Sequence, residues 1–121
     1  MSPYKPDGWP TVAPRLFADD VEGLVAFLRI VFDARGELHA GRPAEIWIGE
    51  SVVMISDGGG VRGPSQSFLY VYVADADGTF ERAIAEGAEA LEPPGDTPYG
   101  DRRAMVQDPW GNYWQIATRR A

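Results

Sequence analysis

The chain has 121 residues, 45% of them hydrophobic, which is enough for one domain with a real core. It contains no cysteine, so disulfides, thiolate metal sites and thiol catalysis are excluded. The net charge is -7, its tight basic clusters are only the pairs Arg102-Arg103 and Arg119-Arg120, and no stretch of about 18 apolar residues occurs, so neither nucleic-acid binding nor a membrane span is expected.

The opening "MSPYKPDGWP" has no apolar h-region, so no secretory leader is expected and the expected location is cytoplasmic. "TVAPRLFADD" (11–20) reads as a strand ending in two candidate helix N-caps, Asp19 and Asp20. Val21, Leu24, Val25, Leu28, Val31 and Phe32 then form one apolar stripe at helical spacing, with Gly36 expected to end the helix. "AEIWIGESVVMISD" (44–57) predicts a hairpin of two strands, and Gly49 at the first central position suits a type II′ turn.

A Gly/Pro-rich loop is expected from 57 to 66. "SFLYVYV" (67–73) alternates as a strand, with Phe68, Tyr70 and Tyr72 on one face and Leu69, Val71 and Val73 on the other. "DADGTFERAIAEGA" predicts a second capped helix with Phe80, Ala83 and Ile84 inward and Gly87 at its end. "EALEPPGDTPYGD" reads as a short strand and then a loop, and "RRAMVQDPWGNYWQIAT" as a closing hairpin whose Asp108 can bond back to the backbone of its turn. The halves 11–57 and 67–118 thus repeat one order of elements, and "FADD" and "VADAD" stand at equivalent strand-to-helix junctions. The expected fold class is α+β, a β-α-β-β-β unit used twice in one domain spanning 1–121, with 58–66 as the connecting loop.

Three stretches carry a resemblance to a known family: "VAPRLFADDVEGLVAFLRIVF", "AEIWIGESVVMISD", and "YVADADGTFERAIAEGAEALEPPGDTPYGDRRAMVQDPWGNYWQIAT". They resemble the vicinal oxygen chelate superfamily of glyoxalase, bleomycin-resistance and dioxygenase proteins, in particular its PhnB-like, glyoxalase-like branch. The resemblance implies two modules whose mixed sheets curl into a half-open barrel around a central site. It also implies a homodimer and, in many members, a divalent metal near the module interface.

In metal-dependent members a Glu stands four residues after the Gly of the Asp-Pro-x-Gly turn, which falls on Gln115 here. The other ligand positions fall near Ala13 or Pro14 and on Phe68 or Tyr70, and the branch's His-Ala-Glu reads Pro43-Ala44-Glu45. One Glu, one neutral amide and a Tyr hydroxyl are a poor donor set for a divalent ion, so no metal and no cofactor is expected. His39 has no second His or spaced carboxylate to act with and reads as an exposed residue rather than a ligand. Glu45 reads either as a general base or as a surface or hydrogen-bonded carboxylate.

By alternation, Glu45, Trp47, Phe68, Tyr70, Tyr72, Tyr113 and Gln115 face the concave side, while Tyr99 and Arg102 either rim the pocket or belong to a structural loop with an Asp101–Arg pair. An aromatic face with an amide and a carboxylate suits a planar organic ligand. The leading expectation is therefore a metal-free, dimeric protein that binds or sequesters a small aromatic molecule. The alternatives are a lyase, isomerase or dioxygenase-like enzyme using Glu45, with or without a divalent metal, and a dimeric domain whose pocket is filled by its own side chains.

Overall fold

The computed structural model describes residues 4–58 and 66–120. Its elements run β1 (Arg15–Phe17), α1 (Val21–Phe32), β2 (Arg35–Glu37), β3 (Ala44–Ile48), β4 (Ser51–Ser56), β5 (Phe68–Tyr72), α2 (Ala76–Ala85), β6 (Glu89–Asp96), β7 (Asp101–Gln107) and β8 (Tyr113–Arg119). The sheet orders are β1-β4-β3-β2 and β5-β8-β7-β6, so the same topology is built twice. In each sheet the first and last strands of the module run parallel and the remaining neighbours antiparallel. The α+β class and the doubled β-α-β-β-β unit stand as expected. Among the described residues the two sheets share no hydrogen-bonded edge, and they are not closed into a barrel.

The helices begin alike. Asp20 accepts from the Gly23 N–H at 2.9 Å and Asp75 from the Gly78 N–H at 3.1 Å, each satisfying an orphan donor of the first turn. The end of α1 differs from expectation. Asp33 takes the left-handed conformation, with φ 56°, and caps the helix, whereas Gly36 lies inside β2 with φ 135°. Gly36 is needed there because a Cβ would run into the backbone carbonyl oxygen of Glu45 on the paired strand. The hairpin turn keeps Gly49 at positive φ, 59°, without a second positive φ at Glu50, as a type II′ turn requires.

Two further elements correct the reading of the sequence. β2 is too short and polar to show alternation, and β6 continues through Pro93 and Pro94, where a loop was expected. Prolines are tolerated in β6 because it is an edge strand, and its register against β7 slips twice, between Ala90 and Glu92 and between Glu92 and Gly95. Of the expected connecting loop, residues 59–65 lie outside the described residues.

The core forms where the helices cover one face of each sheet. Leu24, Val25, Phe27, Leu28, Val31 and Phe32 of α1 are buried together with Leu16, Ile46, Val53 and Ile55 of the first sheet. Each large apolar side chain so placed contributes roughly 1.5–3 kcal/mol. The modules join through the helices and the closing hairpin. Phe27 meets Trp110 edge-on at 6.0 Å, Phe32 lies 5.1 Å from Trp114, and Arg82 of α2 donates to the Val31 carbonyl at 3.3 Å. This arrangement leaves the face of each sheet away from the helices open.

Candidate functional site

The Asp-Pro-x-Gly turn is structural. Asp108 is buried and accepts the backbone N–H groups of Trp110 and Asn112, the Asn112 side-chain amide and the indole N–H of Trp114. This locks the direction in which β8 leaves the turn. Trp114 and Ile116 then point under α2, and Tyr113, Gln115 and Ala117 point to the open face.

Strand register assembles the second sheet's open face row by row. Phe68 lies beside Tyr113, Tyr70 beside Gln115 and Met105, and Tyr72 beside Ala117 and Arg103. Phe68 and Tyr113 stack at 5.5 Å between ring centroids, and Tyr70 and Tyr72 lie tilted at 5.4 Å. Five of the sequence-derived candidates, Phe68, Tyr70, Tyr72, Tyr113 and Gln115, therefore share one surface. Tyr99, from the turn before β7, joins them through its hydroxyl, 3.4 Å from that of Tyr70.

Beneath the tyrosines lies a carboxylate the sequence did not single out as a site residue. Asp101 is 1% exposed and accepts from the Tyr70 hydroxyl at 2.7 Å and the Tyr72 hydroxyl at 2.8 Å, both at Oδ2. Its Oδ1 is 3.1 Å from Arg119 Nε as an ion pair but off the line of a hydrogen bond. The phenols reach Asp101 across β8, where Ala117 is small and wholly buried. The hydrogen bond from Tyr70, helped by Tyr72, Arg119 and Arg103, holds the Asp101 carboxyl below the usual carboxylate range against the cost of its burial. Burial first, then the bonds to Tyr99 and Asp101, push the Tyr70 phenol up.

Arg102 falls on the other face. It forms a two-pronged pair with Asp77 of α2, at 3.0 and 3.1 Å, and so does not rim the tyrosine cluster. Its neighbour Arg103 does, donating to the Tyr99 hydroxyl at 2.7 Å. A one-residue difference in register decides which arginine faces the tyrosines.

Glu45 and Trp47 share the open face of the first sheet, apart from the tyrosines. Trp47 is flanked by Trp9, edge-on at 5.9 Å, and by the Arg35 guanidinium, 5.8 Å from its ring. Glu45 sits between Met54 and Glu37 in the register and makes no side-chain hydrogen bond among the described residues. A cleft of about 570 Å³ separates the modules, lined by Pro10, Val12 and Val52 on one side and by Leu69, Tyr70 and Tyr72 on the other. A second, more polar cleft of about 620 Å³ lies at the end of the first sheet, among Arg15, His39, Arg42 and Asp57. His39 is half-buried there, beside Arg42.

The donors do not fit a divalent ion. Among the described residues no three His, Asp or Glu side chains cluster, and Glu45 and Gln115 stand on different sheets. Around Gln115 the register supplies only Tyr70 and Met105.

Residues 11–116 match the model of the glyoxalase/bleomycin resistance protein/dioxygenase superfamily. The chain belongs to that superfamily. Its fold is similar to that of TioX from Micromonospora sp. ML1, with a TM-score of 0.74 and 27% identity over 93% of this chain and 98% of that one. The fosfomycin resistance protein FosX from Mesorhizobium loti gives a TM-score of 0.68 and 25% identity over 90% of this chain and 91% of its own. An uncharacterized protein of Mycobacterium tuberculosis strain H37Rv is 28% identical over 88% of this chain and 73% of its own length. Superfamily members share a fold and differ in chemistry, so the site itself must carry the functional argument.

Proposed function

We propose that this superfamily member is a metal-free pocket protein that binds a small planar aromatic molecule, in the manner of a drug-binding or sequestering protein. The observation that carries this reading is the aromatic row of Phe68, Tyr70, Tyr72 and Tyr113, with the Gln115 amide set into it, on an open sheet face. Stacking supplies affinity there and the amide supplies orientation. The bleomycin-resistance part of the superfamily's description and the similarity to a fosfomycin resistance protein support a resistance-type role. The finer PhnB-like placement, a cytoplasmic location and a homodimer, which the resemblance implies, belong to the same proposal.

The test is titration with a panel of planar antibiotics, followed by intrinsic fluorescence. Saturable quenching that is lost in Tyr70→Ala supports the reading, and a panel without a single saturable binder sinks it. Trp47→Ala, measured alongside, reports whether the first sheet joins the site.

A second reading rests on Glu45, whose carboxylate has no side-chain partner among the described residues and faces away from the helix. There it would act as the general base of a lyase, isomerase or dioxygenase-like reaction. Turnover that survives Glu45→Gln removes it.

A further inference from the structure

Chemistry fixes the direction of the hydrogen bonds around Asp101. A guanidinium only donates, so Arg103 Nη1 gives a proton to the Tyr99 oxygen, 2.7 Å away. An ionised carboxylate only accepts, so Tyr70 and Tyr72 both spend their single phenolic proton on Asp101 Oδ2. With the Tyr70 proton committed, the 3.4 Å contact between Tyr70 and Tyr99 has Tyr99 as its donor. Protons therefore point one way along Arg103, Tyr99, Tyr70 and Asp101, and Tyr72 joins at the same carboxylate oxygen.

Neither Tyr70 nor Tyr72 has a proton left for a ligand. Tyr70 has one lone pair spare after accepting from Tyr99. Tyr72 has both, its oxygen meets no donor among the described residues, and the residue is 57% exposed. Both residues stand on the open face of the second sheet, their rings 5.4 Å apart. A ligand carbonyl or sulfonate placed there meets lone pairs. Pulling Tyr72 round to donate to it would take a hydrogen bond away from a buried carboxylate.

We propose that this open face selects molecules carrying an N–H or O–H donor beside their planar ring, with the Tyr72 oxygen as acceptor and Asp101 as the positioning residue that turns it into one. The proposal rests on the pocket reading above and names the chemistry of its ligand. Neutral probes separate the two, because a cation would gather on a chain of net charge -7 without using the site. Quinoline and an aminoquinoline carrying its amine on the carbocyclic ring share one ring system and differ by one donor group. They are compared at mildly alkaline pH, where both are uncharged.

The wild-type protein is expected to bind the aminoquinoline about three- to tenfold more tightly, the worth of one hydrogen bond. Tyr72→Phe, which keeps the ring and removes the acceptor oxygen, is expected to abolish that preference and bring the two affinities together. Asp101→Asn, confirmed folded by circular dichroism, is expected to reduce the ratio of the two affinities while quinoline still binds. Equal affinity for both probes, or a Tyr72→Phe loss shared equally by both, overturns the acceptor assignment and leaves the aromatic pocket standing. Absence of binding by either probe removes the planar-ligand reading and this inference with it.

Discussion

The carboxylate of Asp108 accepts the indole N–H of Trp114, six residues on, at 2.8 Å. One buried group thereby fixes both the turn and the side chain that separates the two faces of β8. Asp108→Ala leaves the indole N–H, the Asn112 amide and two backbone N–H groups without their acceptor. The expected loss is about 2–4 kcal/mol, since hydrogen bonds to a buried charged group are worth roughly 1.5–3 kcal/mol and orphaned donors add cost. Denaturant unfolding of the variant measures it, and a loss under about 1 kcal/mol would mean that water replaces the carboxylate at little cost.

Gly36 offers a second measurement. Its φ of 135° disfavours any residue with a Cβ, and the Glu45 carbonyl oxygen occupies the space that Cβ would need. Gly36→Ala is expected to cost about 1–3 kcal/mol from backbone conformation alone, and more if the strand must shift. The shift would pass to Glu45, so the variant also disturbs the first sheet's open face. A melting temperature equal to that of wild type would show that β2 is not held in this register.

The Tyr70–Asp101 pair makes stability depend on pH at both ends. Asp101 titrates below its ordinary range, so its contribution is present above the unfolded carboxylate value near 3.9 and is lost as pH falls through the lower folded value. Tyr70 titrates above its ordinary range, so its contribution is present below about pH 10 and is lost as pH rises through the higher folded value. In an alkaline titration followed by phenolate absorbance, the latest phenol to ionise is expected to vanish in Tyr70→Phe and to move earlier in denaturant. Asp101→Asn is expected to flatten the acid limb of the stability curve. An unchanged acid limb in that variant would assign the acid sensitivity to other carboxylates.

Much of this arrangement was legible because periodicity reports burial. The stripe from Val21 to Phe32 and the alternation through β5 and β8 gave the helix, the strands and the faces their residues occupy. What stayed hidden was long-range or polar. β2 has no alternating apolar residue to betray it, and the prolines of β6 mimic a loop because an edge strand needs no amide on its outer side. Asp33 ends α1 in a conformation that Gly36 seemed better suited to, while Gly36 serves a contact with a strand not yet paired at that point in the chain. Asp101 was visible as half of an ion pair. Its bonds to two tyrosines about thirty residues earlier depend on the order of strands in the sheet, as does the preference for Arg103 over Arg102 beside them.

Gln115 supplies the last prediction. It occupies the position where the superfamily's metal-dependent members carry Glu, yet its row contains Tyr70 and Met105, and the nearest candidate carboxylate by family position, Glu45, belongs to the other sheet. A neutral amide beside a phenol and a thioether does not hold Zn, Mn, Ni or Fe(II) against wash-out. Protein without an affinity tag, incubated with each ion and desalted, is therefore expected to retain well under one ion per chain by elemental analysis. Gln115→Glu alone is expected to retain no more, because one carboxylate does not complete a site. Stoichiometric metal in the wild type would require donors pooled from two chains, since no single chain brings three together among its described residues. The search for ligands would then turn from planar binders to metal-chelated substrates.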